Sequence, residues 1–303
     1  MTISAPRSVS CIAGIPYVRR PAGSLLLDLY LPGNAGKVPL VLYLHGGAWV
    51  MGSRKDHPDR LRNLAGQGMV VAALSYRPAH LAPFPAQRED VAAAIDFLRR
   101  EGPTWGVDAR AVGLYGASAG AHLAAMTGLT LSRSINCPVF ALVGLFGRYD
   151  LTEAGLPPSP DAGLRPPCEV LDSVWPAELG GRPVPPMKLR SLLTGVEEAL
   201  LDQEALEAIS PQHRLSELDF PVLVMHGTAD GVTHHAHAEN FVRDVRALGK
   251  EAELVLVDGA NHEDQWFDGS EAAARVGEFF RRHAPASEPP PGADGSSAGR
   301  NAP

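Results

Sequence analysis

No stretch of this 303-residue chain approaches the ~20 consecutive apolar residues that a membrane-spanning helix needs. Residues 1–16 hold one cation, Arg7, and no continuous apolar core, so no export signal is expected there and a soluble, cytoplasmic protein is. Positive charge is not in excess either. Lys and Arg number 27 against 34 Asp and Glu, a net charge of -7, which leaves no basic field to attract nucleic acid or anionic lipid. Cysteine is scarce: Cys11, Cys137 and Cys168 are widely spaced and odd in number. None lies in a CxxC or beside a histidine at ligand spacing, so neither a disulfide framework nor a zinc site is expected. There is no internal repeat.

What remains is an ordinary globular composition, 45% hydrophobic, with enough chain to bury one large core. Apolar runs at 9–17, 25–31, 38–44, 69–76, 111–115, 139–146, 222–225 and 252–257 read as strands. Leu27, Leu29 and Leu31 alternate with Asp28 and Tyr30, the pattern of a half-buried edge hairpin. Helical spacing appears at 59–68, 86–100, 236–248 and 271–282, and a run of good helix formers starts after Ser118. Strands alternating with helices predict an α/β protein with a mostly parallel sheet covered on both faces.

Residues 151–211 break that rhythm. They hold Pro157, Pro158, Pro160, Pro166, Pro167, Pro176, Pro183, Pro185 and Pro186, plus an amphipathic stretch at 187–209. Proline removes ladder donors, so this segment is expected to be an inserted cap and not part of the sheet. Residues 286–303, rich in Pro, Gly, Ser and Ala, read as a disordered tail behind a domain of residues 1–285.

Parallel α/β sheets build sites at the carboxyl ends of their strands, and four such ends carry polar clusters. Gly116-Ala117-Ser118-Ala119-Gly120 fits G-x-S-x-G, a sharp strand-to-helix turn that exposes one serine. The flanking glycines are needed where a Cβ would collide with neighbouring backbone. Alone the motif carries little in a chain with 31 glycines. His45-Gly46-Gly47-Ala48-Trp49 follows the 38–44 strand, and its small residues let backbone N–H groups approach an oxyanion. Gly47 and Ala48 are the expected donors, joined by the N–H of Ala119. Asp230, in His226-Gly227-Thr228-Ala229-Asp230, is the expected acid, and His262, in Gly259-Ala260-Asn261-His262, the expected general base. The order Ser118, Asp230, His262 is that of α/β-hydrolases.

Each role has rival groups. Asp150 and Asp258 compete for the acid. His122, one turn along the elbow helix, is expected to pack beside the site without reaching Ser118 Oγ. His234, His235 and His237 resemble a metal cluster, but no nearby carboxylate or cysteine completes a signature. A solvated helix start is the expectation, with no metal and no cofactor.

With these stretches in place, the chain resembles carboxylesterases of the α/β-hydrolase fold, in the hormone-sensitive-lipase-like and feruloyl-esterase-like branches. The resemblance rests on LDLYLP, HGGAW, SYRPA with FPAQREDVAAAIDFL, GASAGAHLA, AISP, HGTAD and GANH, between about residues 25 and 282. It implies nucleophile Ser118, acid Asp230, base His262 and an oxyanion hole from Gly46, Gly47, Ala48 and Ala119. Ala48 stands where many lipase-like members carry a third glycine, and a backbone donor survives that change. The expected activity is hydrolysis of a small carboxylic ester through an acyl-enzyme. HGGAW with GASAGAHLA also resembles arylformamidases, and an acyltransferase, lactonase or cyclase on the same scaffold, or a non-catalytic binding module, are the other readings.

Overall fold

The computed structural model describes residues 8–33, 38–134, 138–152, 154, 156, 189–197 and 200–286. Eight strands form one sheet: β1 (Val9–Arg20), β2 (Gly23–Pro32), β3 (Val38–Leu44), β4 (Val70–Leu74), β5 (Val107–Ala117), β6 (Val139–Leu145), β7 (Val222–Gly227) and β8 (Ala252–Val257). Among the described residues the α-helices are α1 (Pro58–Gly66), α2 (Ala86–Glu101), α3 (Ala119–Ser134), α4 (Leu189–Thr194), α5 (Gln203–Ala208), α6 (Ala236–Ala247) and α7 (Ser270–His283). In space the strands run β1-β2-β4-β3-β5-β6-β7-β8, antiparallel at the β1–β2 and β2–β4 pairs and parallel from β4 onward.

Successive side chains of a strand face opposite sides of its sheet, so the buried strands divide by parity. Leu40, Leu42 and Leu44 share one layer with Leu114, Leu142 and Val224, closed by Ile95 of α2, Leu123 of α3 and Phe241 of α6. Val41 and Tyr43 share the other with Tyr115, Val143 and Met225, closed by Leu61 and Leu64 of α1 and by Val276, Phe279 and Phe280 of α7. Helix α2 shows the local logic. Val91, Ala94, Ile95 and Leu98 fall at i, i+3, i+4 and i+7, and all are fully buried.

From β3 the chain crosses to β4 on one side, and β5 then pairs with β3 on the other. This reversal opens a crevice beyond the carboxyl ends of β3 and β5, where open α/β sheets place their ligands.

Two expectations change. The hairpin of β1 and β2 lies at the sheet's edge with β1 outermost, but β2 is not half-buried: Asp28 and Tyr30 are buried with Leu27 and Leu29. Strand β5 starts at Val107, four residues before the apolar run, because backbone pairing of Val107 and Asp108 with β3 continues through a register shift. Among the described residues of the amphipathic 187–209 stretch lie two short helices, α4 and α5.

The proposed cap's proline-rich part, 157–188, and the tail from 287 lie outside the described residues. The described residues of 151–211 form no strand. Its two ends are tied together: Leu151 N–H donates to Ser210 Oγ (2.8 Å), and Gln212 N–H donates to the Tyr149 carbonyl (2.9 Å). Ser210 Oγ–H in turn donates to the Leu206 carbonyl at 2.7 Å. Among the described residues no helix is long and apolar enough to cross a membrane.

Ile95 is a direct check on this packing. Ile95→Ala empties a fully buried position between α2 and the sheet. It should lower unfolding stability by ~2–5 kcal/mol, read from the urea midpoint.

Candidate active site

Ser118 sits at the corner between β5 and α3 with φ +52, a left-handed conformation that a non-glycine residue adopts only when its surroundings hold it. Backbone crowding holds it. A Cβ on Gly116 would overlap the Gly120 carbonyl, and one on Gly120 would overlap the carbonyls of Leu44 and His45. The Ser118 N–H donates to the Leu145 carbonyl (2.9 Å), and its own carbonyl accepts from Ala121 N–H (3.0 Å), which starts the helix.

The loop after β3 is wound as tightly. Gly47, Ala48 and Trp49 all have positive φ, at +112, +50 and +64. The Gly47 carbonyl accepts from both Val50 and Met51, at 3.0 and 2.9 Å. No described residue accepts a hydrogen bond from the N–H of Gly47, Ala48 or Ala119. His45 anchors the loop's start: its Nδ1–H donates to the Gly46 carbonyl (2.7 Å), and its ring stacks on Tyr76 with centroids 4.2 Å apart. Burial pushes the His45 pKa down, which keeps the ring neutral. At the loop's far side the Trp49 indole N–H donates to His122 Nδ1 (3.1 Å), and His122 Nε2–H donates to the Ile209 carbonyl (2.7 Å).

His262, in the loop after β8, faces two partners. Its Nδ1 lies 2.8 Å from Asp230 Oδ2 and its Nε2 lies 3.0 Å from Ser118 Oγ. An ionised carboxylate has no proton to give, so Nδ1 carries the hydrogen and bare Nε2 accepts from the Ser118 hydroxyl. Asp230 stays ionised. Burial alone would raise its pKa, but hydrogen bonds from His226 and His262 and from the Thr233 N–H hold it well below the usual carboxylate range. Its Oδ1 accepts from Val232 and Thr233 N–H, both at 2.8 Å. The Phe146 ring meets the His262 ring edge-on, centroids 4.7 Å apart.

The rival acids are engaged elsewhere: Asp150 accepts from Thr152 and lies 3.3 Å from His213, and Asp258 accepts from the Thr228 hydroxyl. His122 makes no contact with Ser118 Oγ, since both its nitrogens are taken. The histidine run corrects one expectation. His237 is buried, not solvated, because it turns inward on α6. Among the described residues no group of three or more His, Cys, Asp or Glu is arranged to hold a metal ion. Cys11 is half-buried with a free thiol, while Cys137 and Cys168 lie outside the described residues.

Sequence reasoning missed two groups. His226, fully buried, presents Nε2 3.0 Å from Asp230 Oδ2 and 2.8 Å from the Thr233 carbonyl. Both neighbours only accept, so Nε2 holds the hydrogen and Nδ1 is left buried without a partner. The second is Glu263, next to His262, with Arg60 behind it, and no local pattern marks that pairing.

Two outcomes follow from this geometry. Gly116→Ala should prevent the elbow from closing and cost ~3 kcal/mol or more, checked by thermal unfolding. The second concerns pH. Burial holds His122 down to about 4 and His237, with Arg148 nearby, down to about 3. Between an unfolded value of ~6.5 and those folded values the unfolded chain binds more protons. Stability is therefore fully present above ~6.5 and falls as pH drops toward 4. His122→Asn should flatten that acid slope by about 3 kcal/mol, measured from urea midpoints at neutral and acid pH.

Similarity to known proteins agrees with the fold. A family model described as BD-FAE matches residues 27–154, and one for the prolyl oligopeptidase family matches residues 190–286. The chain is 29% identical to the esterase LipC of Mycobacterium tuberculosis, covering 77% of this chain and 54% of the relative. It is 28% identical to the isoprenylcysteine alpha-carbonyl methylesterase ICME of Arabidopsis thaliana, covering 78% and 53%. The chain thus spans about half the length of the curated relatives it matches. A carbohydrate esterase from gut microbiota, in truncated form, superposes with a TM-score of 0.70 at 22% identity, covering 93% of this chain and 98% of that one. Carboxyl esterase 2 of Tuber melanosporum does so with 0.66 at 23%, covering 92% and 89%. The eight-stranded, mostly parallel sheet, the serine corner after β5 and these superpositions together show that the chain has the α/β-hydrolase fold.

Proposed function

We propose that this chain is a serine hydrolase that cleaves a small carboxylic ester through an acyl-enzyme intermediate. Ser118 is the nucleophile, His262 the general base and Asp230 the acid that orients it. One observation carries the reading: hydrogen bonds of 3.0 and 2.8 Å join Ser118 Oγ to His262 and His262 to Asp230, from three separate strand ends. His262 Nε2 takes the Ser118 proton as Oγ attacks the carbonyl, and the buried Asp230 carboxylate stabilises the imidazolium. The imidazolium then protonates the leaving alcohol, and water activated by the same histidine releases the acid. Backbone N–H groups of Gly46, Gly47, Ala48 and Ala119 receive the charge that develops on the carbonyl oxygen, each donor worth ~10²–10³ in rate.

The names of LipC, an esterase, and ICME, a methylesterase, support ester chemistry in this chain. The 151–211 insertion acts as a cap that shapes the acyl and alcohol pockets. The substrate is a small molecule and not a nucleic acid or a membrane. A cytoplasmic setting fits cysteines that imply no disulfide framework.

Ser118→Ala should reduce kcat/KM for a short p-nitrophenyl ester by ~10³-fold or more and abolish labelling by a fluorophosphonate. Unchanged hydrolysis by that variant would sink the proposal. Faster turnover of an N-formyl aromatic amide than of any acyl ester would move the reading to a formamidase.

A further inference from the structure

We propose that buried Arg60 and the Glu263 carboxylate form a clamp that positions His262, an inference that rests on reading His262 as the base for Ser118. Glu263 directly follows His262 and has φ +54, a strained conformation for a residue with a Cβ. Its carboxylate is gripped from α1. Arg60 Nη2–H donates to Glu263 Oε2 at 2.9 Å, although the Arg60 side chain is only 1% exposed. A cation so deprived of water persists only when paired, so this arginine is committed to its partners.

Those partners hold His262 along three lines. The first is Glu263 itself, one peptide away. The second is Asp268 at the loop's other end, which accepts from Arg60 Nε–H (2.8 Å) while its carbonyl accepts from Asn63 Nδ2–H (2.8 Å). The third runs through Phe146, whose ring lies 5.7 Å below the Arg60 guanidinium and meets the His262 ring edge-on. His57, at the start of α1, adds Nε2 3.2 Å from Glu263 Oε2 and Nδ1 3.1 Å from Asp268 Oδ2. Its pKa is raised, chiefly by the Asp268 hydrogen bond. Arg60 Nη1–H also donates to the Tyr43 hydroxyl at 3.0 Å, which ties the clamp to β3.

The clamp reaches the nucleophile's side too. A Cβ on Gly46 would lie 3.0 Å from Glu263 Oε1 and 3.4 Å from Ser118 Cβ, so the carboxylate fills the space beside the oxyanion loop. A negative charge there would oppose the developing oxyanion unless neutralised, and Arg60 supplies the opposite charge.

A merely structural anchor and a positioning clamp differ in what they do to the titration of His262. The groups in contact with that ring are Asp230 on Nδ1, Ser118 on Nε2 and Phe146; Glu263 is the next residue in the chain, with Arg60, His57, Asp268 and Tyr43 behind it. Removing the negative charge of Glu263 disfavours the imidazolium, whereas removing the positive charge of Arg60 favours it.

The test measures, on the full chain, the rate of fluorophosphonate labelling and kcat and KM for a short p-nitrophenyl ester across the acid limb. Glu263→Gln should lower labelling rate and kcat ~10-fold with KM within ~2-fold, and shift the acid limb to lower pH. Arg60→Met should shift the limb to higher pH, and Arg60→Lys should recover part of the rate. Where Arg60→Met does not fold, Glu263→Gln, altering a side chain that is 28% exposed, decides alone. If the wild type labels and Glu263→Gln keeps its rate, kcat and acid limb, the clamp is overturned. A wild type that never labels overturns the Ser118 reading and the clamp's role with it.

Discussion

The fold depends on backbones meeting at one corner with no volume for a methyl group between them. Gly116 abuts Gly120, and Gly120 abuts the carbonyls of Leu44 and His45. That contact does two things at once. It forces Ser118 into its left-handed conformation, and it presses the start of α3 against the end of β3. The serine and the glycine loop after β3 are therefore located by the same contact, so their relative position does not depend on side-chain rotamers.

Histidines show how the interior sorts one residue type into several jobs. His45, His122, His226 and His237 are all buried, and each has a ring nitrogen that fixes a loop or remains unpartnered. His262 is the partly exposed member of the set, held by Asp230 on one side and free to exchange a hydrogen bond with Ser118 on the other. Burial, not sequence neighbourhood, separates the groups.

Much of the architecture was legible because buried parallel strands are short continuous apolar runs and α2 and α7 repeat at helical spacing. The serine, aspartate and histidine were legible because each follows such a run and carries its own local glycine pattern. Arg60 was not, since its partners Glu263 and Asp268 lie 203 and 208 residues away and an arginine on a short helix looks solvated from its neighbours. His237 misled for the same reason: three histidines in four positions read as polar, while the orientation of α6 decides which one turns inward. The burial of Asp28 and Tyr30 on β2 reflects sheet order, since where β4 pairs leaves no trace in the alternation of Leu27 to Leu31.

The hydroxyl of Ser210 closes the long insertion at its neck, receiving Leu151 N–H while Gln212 N–H binds the Tyr149 carbonyl. A loop whose ends are already fastened costs little to lengthen: each doubling adds only ~0.6 kcal/mol of closure entropy. The stretch between those two fastenings can therefore change in length at little cost while the sheet and its helices stay as they are. In evolutionary terms the neck is a splice point, at which chain can be added without re-solving the fold.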